Sequence, residues 1–134
     1  MLKALLKVMV AYGESWRFSA DNDNSAMLKL GYGKASFLFT GDCGLKCEDK
    51  LMEKKGISAD ILKVSHHGSK HSTSNEFLKK VKPKLAVISV GKNSYGHPAN
   101  ETLERLNAAG IDILRTDLDG AVVITTDGES YSLI

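Results

Sequence analysis

At 134 residues the chain has room for one domain, or for part of one. A net charge of +2, with 43% hydrophobic and 25% charged residues, is that of an ordinary folded chain and is too weakly basic to imply nucleic acid by itself. Two cysteines four positions apart, Cys43 and Cys47, exclude a disulfide framework, and no apolar run reaches the roughly 18 to 20 residues that span a bilayer.

Met1 to Ala11 is apolar with Lys3 and Lys7, but has no small-residue cleavage site before a polar break and is not read as a signal peptide. Ala4 to Ala11 fits a strand or a short helix, since its periodicity favours neither. Trp16 and Phe18 alternate with Arg17 and Ser19 as in a short strand, and residues 21–25 form a polar loop. Ala26 to Leu30 is a predicted strand, 31–34 a hairpin turn, and Ala35 to Thr40 the returning strand. Both strands are largely apolar, which suggests a sheet covered on both faces. Leu45 to Lys55 patterns as a helix stopped by Gly56. Ile61 to Val64 is a strand running into Ser65-His66-His67-Gly68-Ser69. Ser72 or Thr73, followed by Glu76, looks like the N-cap of a helix from about Ser74 to Val81, ended by Lys82-Pro83. Leu85 to Val90 is a buried strand, 91–98 a polar loop, and Asn100 to Ala109 a helix closed by Gly110. Ile111 to Leu114, Ala121 to Thr125 and Ser130 to Leu133 complete the strands, the last two joined by a turn over 126–129. Strands alternate with helices from 35 to 114, so the chain is α/β and built from βαβ units, with no repeat or linker dividing residues 1–134.

The chemistry concentrates at two strand ends. Asp42 follows the strand ending at Thr40, and His66 and His67 follow the strand ending at Val64. Ligands gather outside the carboxyl ends of α/β strands, and a divalent metal wants carboxylate and neutral imidazole donors on rigid supports. The plainer reading of Asp42 is the N-cap of the helix it precedes. For the histidine pair it is one buried, hydrogen-bonded ring and one exposed ring. His97, in a glycine-bounded loop beside Pro98, reads equally as a proton donor or phosphate contact and as a loop histidine bonded to backbone. Ser69, Ser72 and Thr73 are placed to hold phosphate oxygens ahead of a helix, or simply to cap it. Cys43 and Cys47 read as small buried apolar residues before any redox or metal role. Lys79, Lys80, Lys82 and Lys84 form a basic run at a helix end, ordinarily a solvated face.

Thr40-Gly41-Asp42, then Ala59 to Ser69 with its His66-His67-Gly68-Ser69 turn, then Tyr95-Gly96-His97-Pro98 resemble the metallo-β-lactamase superfamily. More narrowly they resemble the C-terminal hydrolase-like domain of the ComEC family of bacterial DNA-uptake proteins. The resemblance covers roughly residues 19 to 127, with Asn24-Ser25 ahead of the hairpin and Arg115-Thr116-Asp117 near the end. It implies one half of an αββα sandwich, the C-terminal half, with a mixed sheet and helices on one face. It implies a two-metal site of zinc or manganese in which Asp42 bridges the metals and His67, just before the glycine, binds the second. His66 then lies behind the ligands or against substrate, His97 assists the leaving group, and Asn24, Ser69 and Ser72 touch substrate.

The sequence departs from that family at one place. The motif His-x-His-x-Asp-His is absent, and the only histidines are His66, His67, His71 and His97. Three or more protein ligands per catalytic metal are usual. The expectation is therefore a partial domain that is inactive alone, belonging to a metal-dependent phosphodiesterase or nuclease of DNA uptake. Two alternatives remain open: a non-catalytic interaction module of a membrane DNA-uptake protein, and a small-molecule ester or lactone hydrolase. The expected partners are the missing N-terminal half, a second copy of the chain, and DNA. The resemblance implies attachment to a bacterial membrane protein, on its extracytoplasmic side as one option.

Overall fold

The structure is a computed structural model that describes residues 4–10 and 25–134. The strand expected at Trp16–Phe18 and the residue Asn24 lie outside the described residues. A six-stranded sheet runs in the order β1 (Ala4–Val10), β2 (Ala26–Tyr32), β3 (Ala35–Phe39), β4 (Ile61–Lys63), β5 (Leu85–Ile88) and β6 (Asp112–Arg115). Pairing decides what periodicity left open at the N-terminus: β1 lies antiparallel to β2, Ala4 opposite Tyr32 through Val10 opposite Ala26. The β2–β3 hairpin is also antiparallel, and β3 through β6 are parallel, so the sheet is mixed and the fold is α/β as the sequence implied.

The three parallel connections carry α1 (Leu45–Met52), α2 (Asn75–Val81) and α3 (Asn100–Ala108). Because the strands follow one another in space as in sequence, crossovers of one hand place all these helices on one face. The alternation of the strands then sorts their side chains. Leu38, Leu62, Ala86 and Ile88 point to the helices and are 0% exposed. They pack with Cys47 and Leu51 of α1, Phe77, Leu78 and Val81 of α2, and Leu106 of α3. Each large apolar side chain buried this way contributes about 1.5–3 kcal/mol. The intervening residues Phe37, Phe39, Ile61, Lys63, Leu85 and Val87 form the other face. Ile61 and Leu85 are buried there, but Leu28 is 37% and Phe39 41% exposed.

Element ends move by a few residues from the sequence reading. α1 stops at Met52, before Gly56, which sits at φ +78° in the turn beyond it. The N-cap of α2 is Ser74, whose hydroxyl accepts the Phe77 N–H, and not Ser72 or Thr73. A short α4 (Thr116–Asp119) follows β6, and Arg115 binds Asp117 through two nitrogens at 3.0 and 2.7 Å. The last two strands, β7 (Ile124–Thr126) and β8 (Tyr131–Leu133), pair as a separate hairpin. Asp127 organises its turn by accepting the N–H groups of Glu129 and Ser130. The hairpin is tied to the β2–β3 turn where the Lys34 N–H donates to the Gly128 carbonyl at 2.6 Å. Gly33 (φ +59°) makes that approach possible, because a Cβ there would stand 2.0 Å from the same oxygen.

Candidate functional site

Asp42 and the histidine pair meet at the carboxyl ends of β3 and β4. The two loops are laced together before any side chain reaches solvent. The His66 N–H donates to the Gly41 carbonyl at 3.0 Å, the Ser65 hydroxyl donates to the Cys43 carbonyl, and the Thr40 hydroxyl donates to the Lys63 carbonyl at 2.7 Å. His66 and His67 both take left-handed backbone angles, φ 47° and 54°. Such angles are costly for non-glycine residues and persist where surroundings fix them. The turn thereby presents both imidazoles outward.

The His67 Nε2 stands 4.0 Å from Asp42 Oδ1, with each side chain about half exposed. Its Nδ1 lies 2.7 Å from the Ser89 carbonyl. A carbonyl only accepts, so Nδ1 carries a proton and Nε2 is the nitrogen that faces Asp42. Asp42 does not cap α1: the N-cap is Gly44, with no side-chain bond. The carboxylate is thus released from the structural duty the sequence allowed it.

His97 reaches the same corner from the loop after β5. Its ring lies edge-on to His66 at 5.5 Å and stacks on Tyr95 at 6.1 Å. Asn93 holds this loop with both ends of its amide: Nδ2 donates to the Gly91 and His97 carbonyls, and Oδ1 accepts from the Tyr95 and His97 N–H groups. Burial, then the adjacent His66 and His67, hold the His97 imidazole below its usual range. A cleft of about 610 Å³ opens beside it, lined among others by His66, Lys70, His71, Tyr95 and Glu101. Gly68 (φ +83°) lets the two loops close on each other, since a Cβ there would lie 2.6 Å from the Pro98 Cβ.

The serines divide. Ser69 lines the cleft but is 4% exposed, and its hydroxyl accepts the His71 N–H. Ser72 is 0% exposed and donates its proton to the Ser65 and Ser69 carbonyls, so it braces the turn and does not reach the cleft. Asn24 is outside the described residues.

Three features escape a linear reading. Lys63, on the sheet face away from the helices, has its ammonium pushed down by burial and held up in part by Asp42. It donates to the Val64 carbonyl at 3.0 Å. Glu48 in α1 is 1% exposed and accepts the N–H groups of Thr73 and Ser74, which fixes the back of the cleft loop. Arg105 of α3 completes that clamp through the carbonyls of Lys70, Ser72 and Thr73. Finally, Cys43 and Cys47 are joined as a disulfide, which corrects their reading as two separate apolar residues. Spacing along a helix gave no signal for any of the three.

Among the described residues no group of three or more His, Cys, Asp or Glu side chains is arranged to hold a metal ion. Nor is any described helix long and apolar enough to cross a membrane. The basic run at the end of α2 lies away from this corner, and Lys84 is paired with Asp60 at 3.0 Å.

No protein-family model matches the chain. It is 42% identical over 106 residues to ComE operon protein 3 of Bacillus subtilis, covering 78% of this chain and 14% of that protein. It is 43% identical over 105 residues to competence protein ComA of Neisseria gonorrhoeae, covering 76% and 15%. Recombination protein 2 of Haemophilus influenzae is 38% identical over 104 residues, covering 77% and 13%. The chain is therefore similar, over about three quarters of its length, to a short stretch of three much longer proteins, and it spans about a seventh of their length.

Proposed function

We propose that this chain carries part of a metal-dependent hydrolase centre, acting on a phosphodiester within a larger protein of bacterial DNA uptake. The observation that carries the reading is the Asp42–His67 pair: 4.0 Å between a carboxylate oxygen and an imidazole nitrogen whose opposite face is fixed by Ser89. Two donors to one ion each sit about 2 Å from it, so 4.0 Å is the outer limit for a shared ion, and these two half-exposed side chains would close slightly to hold one. A metal-binding histidine characteristically gives its other N–H to a carbonyl, as His67 does. The competence association rests on the names of the similar proteins, ComA above all.

Zinc and manganese fit the donor types, but two donors are fewer than the usual three. Asp42 and His67 would hold the ion, and the ion would supply charge neutralisation for the phosphate and a water of lowered pKa. The chain's own groups do the rest. Ser89 orients His67 through its Nδ1, Asn93 positions His97, and His97, its imidazole held below its usual range by burial, handles a proton beside the cleft. Lys70 supplies positive charge on the cleft wall, which His71 also lines.

The incomplete donor set and the half-exposed Leu28 and Phe39 favour one other reading, a non-catalytic module that docks on the rest of a longer protein. The test is a chimera in which this chain replaces the matching stretch of Neisseria gonorrhoeae ComA. Metal-dependent cleavage of bis(p-nitrophenyl) phosphate that falls at least about 100-fold in Asp42→Ala is the expected result. Cleavage and transformation unaffected by Asp42→Ala and His67→Ala would sink the hydrolase reading. Transformation that needs the chain but neither residue supports the docking module. The isolated chain is expected to turn over nothing.

A further inference from the structure

We infer that the Cys43–Cys47 disulfide is a positioning element of the Asp42–His67 corner, so that the corner is assembled in the oxidised chain and lost from the reduced one. The inference concerns the control of that corner and rests on the metal reading only for one of its two measurements.

The bond begins at the residue next to Asp42 and ends in the first turn of α1. That helix is poorly equipped to start without it. It is eight residues long, and its N-cap is a glycine that offers no side-chain acceptor. Helices this short are marginal in isolation, and a missing Ser, Thr, Asp or Asn cap leaves their first N–H groups unsatisfied. The cross-link stands where a cap would.

Both walls of the site depend on that turn. On one side, the Cys43 carbonyl accepts the Ser65 hydroxyl and the Cys43 N–H donates to Thr40 at 3.1 Å, so Cys43 joins the Asp42 loop to the histidine turn. On the other, the Leu45 N–H donates to the His71 carbonyl at 3.2 Å, and Glu48, one residue past Cys47, holds Thr73 and Ser74. Untethering position 43 from 47 frees the Asp42 loop from the helix and loosens the loop carrying Lys70 and His71. Both cysteines are 0% exposed, so the bond exchanges only when the turn opens and acts as a lasting clamp.

Forming the bond removes two electrons and two protons from the thiols, and a disulfide oxidant takes them up by thiol–disulfide exchange. Opening it consumes the same from a dithiol, which leaves as its own disulfide. Such bonds persist where the compartment is oxidising. The corner is accordingly built for service outside a reducing cytosol.

The test uses the 134-residue chain oxidised with glutathione disulfide. Alkylation in denaturant should modify neither cysteine before dithiothreitol and both after it. Amide exchange of His66, whose N–H is held by Gly41, is measured relative to that of Leu62 in the core strand. In Cys43→Ala/Cys47→Ala this ratio should rise at least about tenfold. In Leu51→Ala, which weakens α1 from its buried face with the bond intact, it should stay within about twofold. The second measurement is broadening of the His67 ring protons by Mn²⁺, which should need at least about tenfold more metal in the alanine pair than in the oxidised chain. A changed exchange ratio with no Mn²⁺ broadening in any form upholds the clamp and removes the metal reading. Exchange within twofold in the alanine pair, or free thiols in the oxidised preparation, overturns the proposal. If the alanine pair does not fold, Cys43→Ala/Cys47→Val, which refills the space, is read the same way. Should neither fold, the bond serves the whole fold and not the corner, and the proposal fails.

Discussion

The two faces of the six-stranded sheet come from the same strands and end differently. On the helix face, Leu38, Leu62, Ala86 and Ile88 are 0% exposed, sealed by the chain's own crossovers. On the other, Leu28 and Phe39 remain 37% and 41% exposed, and Lys63 sits among apolar neighbours around a cavity of about 150 Å³. The difference follows from strand order. Strands laid down one after another in the same direction send every crossover helix to one side. The crossover helices therefore leave the second face to other covering, and the lysine on it lies beside the candidate metal ligand Asp42. The helix face carries the core cluster, while the second face keeps part of its apolar surface exposed among the described residues.

The sharpest way to break this contrast is a matched pair of truncations. Phe77→Ala, in α2 packed against the covered face and 1% exposed, should cost about 3–5 kcal/mol in urea denaturation. Phe39→Ala on the open face should cost less than about 1 kcal/mol, and equal losses would mean that the second face is also core.

Next in size is Glu48→Ala. It strands the buried N–H groups of Thr73 and Ser74 and should cost about 2 kcal/mol. Chemical-shift changes should centre on residues 69–74.

A subtler difference lies in pH dependence. Burial pushes the Glu48 carboxyl above its usual range despite its two backbone donors. The folded state then binds a proton more tightly than the unfolded one, so this group's contribution falls as pH rises from the ordinary glutamate value through the raised one. Burial also pushes Asp60 upward, but the Ser36 hydroxyl and the Lys84 ammonium outweigh it and hold the carboxyl below its usual range. Its contribution is present above the ordinary aspartate value and is lost as pH falls through the lowered one. Asp60→Asn should flatten the acid side of the stability profile and Glu48→Gln the side above it, both read as denaturation midpoint against pH.

The smallest effect is on association. An exposed apolar patch favours a second copy, with a two-fold interface the commonest solution. Sedimentation of the wild type at micromolar concentration should show self-association that weakens in Phe39→Ser, with stability unchanged within about 1 kcal/mol. A clean wild-type monomer that binds no hydrophobic dye would show that the second face is already covered.

Local pattern was enough for some of this. Apolar runs bounded by glycine and proline placed the strands, since side-chain alternation and turn chemistry act over a few residues. The order strand, Gly41-Asp42, helix, strand, His66-His67 was itself enough to suggest one corner, because parallel strands with short crossovers bring their carboxyl ends together. Other features had no local signal. Glu48 looks like a solvated helix residue until Thr73 and Ser74, about 25 positions on, present their N–H groups to it. Ser72 reads as a ligand-facing hydroxyl until the turn folds it inward onto Ser65. Asp42 and His67 are separated by 25 positions, and only sheet register sets their 4.0 Å approach. The sequence alone determined most of the elements, β1 and α4 excepted, and which residues follow the ends of β3 and β4. Burial, the orientation of His67, the Cys43–Cys47 bond and the partly exposed second face were decided by tertiary structure, because each depends on contacts that no local spacing encodes.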